Sequence, residues 1–390
     1  MRIVRPAILA TTVVAWLVSV ASAALCCPFC SAPSFTLAEQ LAQSDAAVLV
    51  QWVAGKKPTG KTAGKTVYEI RRIIRSPKNT LKTGERVTLA RYRAGKKGNL
   101  FMLMGTKGTI IEWGSPLEVS ETSFNYIAQA PSPETAASKR LSYFLKFLEF
   151  PDQMMSNDAY AEFANAPYKD ITALSKAMPR EKLRKWVTSK DTPPTRVGLY
   201  GLMLGLCGTK DDAKLMEAKI NEKTDEFRLG IDGVISGYLL LTGPKGLDVI
   251  DQSKLKNKKI PFSETYASMQ ALRFMWTYGS EKIGKERLRQ SMRVLLDRPE
   301  LADLVIADLA RWKDWKVLDQ MMDLYGAEEY NIPSIKRAIV RYMLVCSKDT
   351  PSGDNVTLPK HVVQSRKHLE TLRKKDAKTV RDAERFFFIK

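Results

Sequence analysis

Residues 132–152 read SPETAASKRLSYFLKFLEFPD. Ser132, Pro133 and Glu134 have the makings of a helix start: a capping hydroxyl, a proline at the first helical position and an acid in the first turn. Leu141, Phe144, Leu145 and Leu148 then fall on one helical face as an apolar stripe. Upstream of this stretch the apolar residues recur with a period of 2, and downstream with a period of 3.6. The chain divides here into a small β part and a larger α part.

Five runs upstream, at 46–53, 66–75, 85–92, 99–104 and 109–113, are rich in β-branched and aromatic residues. Tyr68, Ile70 and Ile74 share one face of the second run. In the third, Val87 and Leu89 alternate with Arg86 and Thr88. Turns rich in glycine and lysine, such as Gly55-Lys56-Lys57-Pro58, separate the runs. Short strands at this spacing predict a small antiparallel β-barrel or sandwich. A short helix over 36–43 precedes it.

Downstream, helix starts recur near Ser156, Pro179, Pro194, Lys210, Asp225, Pro244, Pro261, Pro299 and Pro333. The intervals from Pro261 to Pro299 and from Pro299 to Pro333 are 38 and 34 residues, the length of one helix pair. That spacing predicts a HEAT-like α-solenoid. Gly198, Gly201, Gly205 and Gly208 align on one helical face, and Gly230, Gly233 and Gly237 on another. Interior glycine costs up to about 1 kcal/mol against alanine. Close approach of two helices, flanked by Tyr200, Leu202, Leu239 and Leu241, is the expected compensation. A tail follows: a turn at 352–355, a basic amphipathic helix at 361–375 and a second helix at 376–388. The apolar end Phe386-Phe387-Phe388-Ile389 is expected to dock on the last repeat. The fold expected is mainly α, with domains at 24–131, 132–347 and 348–390.

Residues 1–23 have the form of a secretory signal peptide. Arg2 and Arg5 open it, 14 apolar-rich residues from Ala7 to Val20 form its core, and Ala21-Ser22-Ala23 is an A-x-A cleavage site. A spanning helix needs roughly 20 residues. The expected protein is exported, periplasmic or extracellular, starts at Ala24 and has no transmembrane segment after cleavage. The net charge of the chain is +20. Residues 24–131 hold 15 basic against 7 acidic residues, and 348–390 hold 11 against 6, so the excess is spread. Such a charge favours contact with polyanions outside the cell, whether acidic polysaccharide, phospholipid head groups or stray nucleic acid, and the partner expected is an unknown protein or an acidic polysaccharide of the envelope. No specific nucleic-acid recognition is expected.

The five cysteines allow at most two bridges. Cys27-Pro28-Phe29-Cys30 has the C-x-x-C spacing of thiol-disulfide oxidoreductases, but it lacks a strand before it. The reading favoured is a structural disulfide from Cys27 or Cys26 to Cys30, stapling the N-terminus to the barrel. A redox pair, Cys27 and Cys30, is the enzymatic alternative. Cys207 and Cys346 lie in apolar helical patterns and read as buried free thiols. His361 and His368 are 7 apart, too far for one ion on a helix. No metal or cofactor is expected, and no G-x-S-x-G, P-loop or H-E-x-x-H is present. Arg311-Trp312-Lys313-Asp314-Trp315 and Lys182-Leu183-Arg184-Lys185-Trp186 set tryptophan among basic residues. Arg311, Trp312, Trp315 and Trp186 are candidates for a ligand surface; plugging the seam between repeats is the structural alternative.

Residues 26–130, with clustered cysteines ahead of a helix and strands, resemble the netrin-like OB-fold module of tissue inhibitors of metalloproteinases. Cys26, Cys27 and Cys30 have no partner cysteine within the strand region, so inhibitory activity does not carry over. LSYFLKFLEFPD (141–152), DAYAEFANAPY (158–168), TPPTRVGLYGLMLGLCG (192–208) and LARWKDW (309–315) look like a group of exported proteins from planctomycete-type bacteria. That resemblance implies export and a helical-repeat body and supplies no catalytic residues. The function expected is that of a non-enzymatic binding or scaffold protein of the cell envelope.

Overall fold

A computed structural model describes residues 27, 29–30, 35–60, 63–224, 226–351 and 357–385. The signal peptide, Cys26, the helix start near Asp225, the turn at 352–355 and the apolar end 386–389 lie outside the described residues. The protein is mainly helical, with an antiparallel sheet near its N-terminus.

The strands are β1 (Ala46–Lys56), β2 (Lys65–Arg75), β3 (Arg86–Leu89), β4 (Leu100–Lys107), β5 (Ile111–Trp113) and β6 (Leu117–Glu118). Their order is β3-β2-β1-β4-β5, with β6 pairing on β4. Period-2 alternation gives β1 two buried faces. Val48 and Val50, opposite Leu103 and Phe101, join Tyr68, Ile70, Val87 and Leu89 in a small core of their own. Ala47 and Leu49 point the other way, with Met102, into the core of the helical body. The expected closed barrel does not form, because β3 and β5 do not pair. A side chain spans the gap instead. The Arg91 guanidinium donates to the Trp113 carbonyl at 3.0 Å and to the carbonyl of Gly114.

Helix α1 (Leu37–Ala42) starts on a Thr36–Glu39 capping box. Its Leu37 N–H donates to Asp158 at 2.6 Å, which fastens it to the helical body. α2 (Glu121–Gln129) is already helical upstream of residue 132, and it buries Phe124, Tyr126 and Ile127. The helix expected from Ser132 begins later, as α3 (Ala137–Phe144). Ser132 instead accepts from the Thr135 N–H at 2.9 Å, closing a turn. The stripe Leu141, Phe144, Leu145 and Leu148 is buried. α4 (Gln153–Asn165), α5 (Tyr168–Thr172) and α6 (Arg180–Thr188) follow.

From there helices alternate: α7 (Pro194–Cys207), α8 (Lys210–Asn221), α9 (Ile231–Thr242), α10 (Pro244–Ile250), α11 (Phe262–Tyr278), α12 (Lys285–Val294), α13 (Ala302–Arg311), α14 (Leu318–Gly326), α15 (Pro333–Ser347), α16 (Lys360–Lys375) and α17 (Ala377–Arg385). The odd-numbered helices from α7 to α15 end at caps Gly208, Gly243, Gly279, Trp312 and Lys348. Those positions are 35, 36, 33 and 36 residues apart. Ion pairs repeat at the same interval. Arg228–Glu264, Asp251–Arg287, Arg273–Asp308 and Lys313–Asp349 join residues separated by 36, 36, 35 and 36 positions. Each ties one helix pair to the next.

The glycine faces meet where α7 crosses α9. A Cβ on Gly201 would lie 2.6 Å from Val234 Cα, and one on Gly233 would lie 2.2 Å from the Gly198 carbonyl oxygen. Backbone touches backbone, so no side chain fits between. Leu199, Tyr200, Leu202, Met203 and Leu204 are fully buried around the seam. Each such side chain contributes about 1.5 to 3 kcal/mol on leaving water. That more than offsets the glycine penalty. Among the described residues no helix is long and apolar enough to cross a membrane.

Candidate functional site

The helical body neutralises its arginines almost everywhere. Arg180 sits 2.6 Å from Asp212, and Arg184 holds the same carboxylate. Arg273 pairs with Asp308 at 2.6 Å, Arg293 with Asp314 at 2.6 Å, and Arg196 with Glu149 at 2.8 Å. Asp212 shows the electrostatic consequence. Its burial would raise the carboxyl, but hydrogen bonds from Arg180, the Thr209 N–H and Arg184 overcome this and hold it down at about 2.

α15 departs from that pattern. Pro333 at its first position starts a helix on which Ile335, Ile339, Val340, Tyr342 and Met343 face inward. Arg337 and Arg341 are one turn apart, so they share the face that looks towards α13. Neither has a carboxylate partner among the described residues, and the buried Nε of Arg341 has no hydrogen-bond partner. Arg311, across on α13, touches Asp308 at 3.0 Å, but its side chain stays 72% exposed. Asp308 already holds Arg273 with its other oxygen.

Between α13 and α15 lies a groove of about 750 Å³. Its charged rim is Arg311, Arg337, Arg341 and a single acid, Asp303. One oxygen of Asp303 accepts from the Leu304 N–H of its own helix at 2.9 Å. Small residues, Ala307, Ala310 and Ala338, line the walls, with Leu304 and Tyr342. Planar guanidiniums offer paired N–H donors that match a carboxylate or phosphate, and low walls let a ligand reach them. The arrangement turns guanidinium N–H donors into an open groove.

Arg311 is the member of the sequence-derived candidates that opens into this groove. Trp312 is 4% exposed, and its ring stacks on Trp276 at 4.3 Å with an interplanar angle of 6°. Lys285 and Arg289 cover the Trp276 ring at 5.0 and 5.3 Å. The Trp315 Nε1–H donates to Asp349 at 2.7 Å, and its ring meets Tyr342 and His361. Trp186 packs on Tyr200 at 4.9 Å. These three tryptophans lie in seams between helices.

Cys27 and Cys30 form a disulfide, with Cα atoms 5.5 Å apart. The bridge is local and does not staple the N-terminus to the sheet, as the sequence had implied. The Cys27 N–H donates to the Ala164 carbonyl of α4 at 3.1 Å, and Phe29 packs on Phe274 of α11 at 5.0 Å. The motif is therefore a plug in the helical body. Cys27 is buried, and the first described helix after the motif is α1. Cys207 and Cys346 are free, and burial pushes each thiol up to about 11. Thiols so placed are poor nucleophiles. His361 lies 3.2 Å from Asp349 and His368 3.1 Å from Asp319, so each meets its own carboxylate. Among the described residues no group of three His, Cys, Asp or Glu side chains converges as a metal site.

Compared with protein families, curated proteins and solved structures, the chain matches none. The functional reading therefore rests on the groove itself.

Proposed function

We propose that this chain is an exported, non-enzymatic binding or scaffold protein of the cell envelope that takes an acidic partner in the α13–α15 groove. The observation that carries the reading is the pair Arg337 and Arg341, which stand without carboxylate partners among the described residues, whereas Arg180, Arg273 and Arg293 each meet one. Two guanidiniums left free beside small residues favour a partner bearing repeated carboxylates, such as an acidic polysaccharide or an acidic protein segment. The helical body is read as a HEAT-like α-solenoid. Support comes from helix caps 33 to 36 residues apart and from ion pairs stepping at the same interval. The curled sheet is read as an OB-like module whose last gap is spanned by Arg91. Export rests on residues 1–23, and an intact mass lacking those residues in protein from its native source is the expected result.

The binding test uses polygalacturonate at physiological salt, read by calorimetry. Each charge-assisted contact contributes about 1.5 to 3 kcal/mol, so Arg337→Gln/Arg341→Gln is expected to weaken binding at least tenfold. Arg71→Gln, on the exposed face of β2, should leave it unchanged. Equal affinity for the wild type and the double variant would remove the groove from the account.

A further inference from the structure

Two neighbouring loops carry a feature that the groove does not use. Residues 222–230 lead into α9, and residues 256–261 lead into α11. One buried carboxylate clamps them together: Glu264 accepts from Arg228 at 2.8 Å and from Lys254 at 2.8 Å. On either side of the clamp, apolar side chains face water. Phe227 is 72% exposed, Leu229 44% and Phe262 49%, and Phe262 stacks on Tyr266 at 5.8 Å. At such exposure Phe227 projects outward and does not line a hollow. It offers a ring to be buried, where a docking pocket would offer a cavity to be filled.

The same two loops carry lysines, with the exposed Glu226 beside Phe227. Glu264 is neutralised within the clamp, and Lys219 holds Glu222 at 3.0 Å. Lys223, Lys256, Lys258 and Lys259 have no carboxylate partner among the described residues, and all four are exposed. Across 219–230 and 254–264 the chain carries seven basic and four acidic residues. Projecting aromatic rings on loops that also carry exposed, unpaired lysines match an interface that is apolar just beneath a layer of negative charge. Lysine suits this better than arginine does. Its ammonium is a mobile point charge on a long apolar stem, able to reach phosphates at varying depth.

We infer that the Phe227–Leu229–Phe262 edge docks on an anionic phospholipid surface, with the two phenyl rings seated at the acyl boundary and Lys223, Lys256, Lys258 and Lys259 on head-group phosphates. This edge is separate from the α13–α15 groove, so the protein can hold an acidic partner while resting on the membrane.

The test is co-sedimentation of the purified exported protein with vesicles of phosphatidylcholine alone, or of phosphatidylcholine and phosphatidylglycerol in equal parts. Binding is expected to the mixed vesicles only and to fall as salt rises. Phe227→Ser/Phe262→Ser is expected to lower the partition coefficient about tenfold or more, because two rings no longer leave water. Lys256→Gln/Lys258→Gln/Lys259→Gln should remove most of the preference for phosphatidylglycerol. Phe227 is 72% and Phe262 49% exposed, so the thermal midpoint of the serine variant should stay close to the wild type and exclude misfolding. Arg337→Gln/Arg341→Gln should still sediment, which separates this inference from the groove. No binding to mixed vesicles, or undiminished binding by both the serine and the glutamine variants, would overturn it. So would a wild-type dimer that Phe227→Ser/Phe262→Ser dissociates, since the edge would then be covered by a second copy.

Discussion

The α7–α9 and α13–α15 junctions each bring two odd-numbered helices together, yet one is sealed and the other holds a groove. At the first, glycines face glycines: a Cβ on Gly205 would lie 2.3 Å from Gly237 Cα. At the second, the facing positions carry Leu304, Arg311, Arg337 and Arg341, whose long side chains end at a hollow of about 750 Å³. Glycine lets the first pair close backbone on backbone, whereas long charged side chains stand at the second. The α11–α13 junction lies between these extremes, filled by the Trp276–Trp312 stack.

The largest effect is expected there. Trp312→Ala removes a buried ring and leaves its partner unsupported, which costs about 3 to 5 kcal/mol. The denaturant midpoint reads it. A change below about 1 kcal/mol would mean that this junction collapses freely and is not held by the stack.

A titration separates both junctions from α4. Burial pushes the Glu162 carboxyl up to about 7 from the ordinary 4.5, and Arg140 at 3.0 Å opposes this only in part. The folded state thus holds a proton that the unfolded state releases between those values. Stability should fall as pH rises from 4.5 to 7, by at most about 3 kcal/mol. Glu162→Gln should flatten that part of the profile. Glu162 stands on α4, outside the groove, so Glu162→Gln should leave ligand affinity level while it flattens the stability profile. Chemical denaturation and calorimetry across the same pH series check the two halves.

The sealed junction can be broken with one methyl group. Gly233→Ala forces a Cβ onto backbone that cannot turn aside, at a cost of roughly 1 to 3 kcal/mol, and helix propensity returns about 1. A net loss is expected in the denaturant midpoint, and Gly201→Ala should behave alike. Gly326, at the end of α14, has nothing within 4 Å of its added Cβ, so Gly326→Ala should leave stability level or raise it by less than about 1 kcal/mol. If Gly233→Ala stabilises as well, α7 and α9 are not in backbone contact.

These junctions differed in how far the sequence revealed them. The glycine seam was legible because Gly198, Gly201 and Gly205 repeat at helical spacing, and a penalty repeated on one face demands a close neighbour. Trp312 was visible as a residue among charges, but its partner Trp276 lies one helix pair earlier, and only the superposition of pairs brings the rings together. The groove was the least legible. Arg337 and Arg341 look like Arg289 and Arg293 in the sequence, and what sets them apart is where carboxylates fall in space. Arg293 finds Asp314, whereas Arg337 finds none among the described residues. The strand runs were read close to their observed positions. Barrel closure was not, because β5 is only 3 residues long and cannot reach β3. α2 was hidden by its place between the last strand and the prolines at 131 and 133, whose turn also delays α3.

The most direct measurement of the central claim is hydrogen exchange of the protein with and without polygalacturonate. The account predicts added protection over residues 302–311 and 333–347, where the groove helices lie, and no change over 194–207 and 231–242, where α7 and α9 are already sealed. Protection confined to the sheet, or spread evenly over the basic surface with Arg337→Gln/Arg341→Gln behaving as wild type, would contradict it.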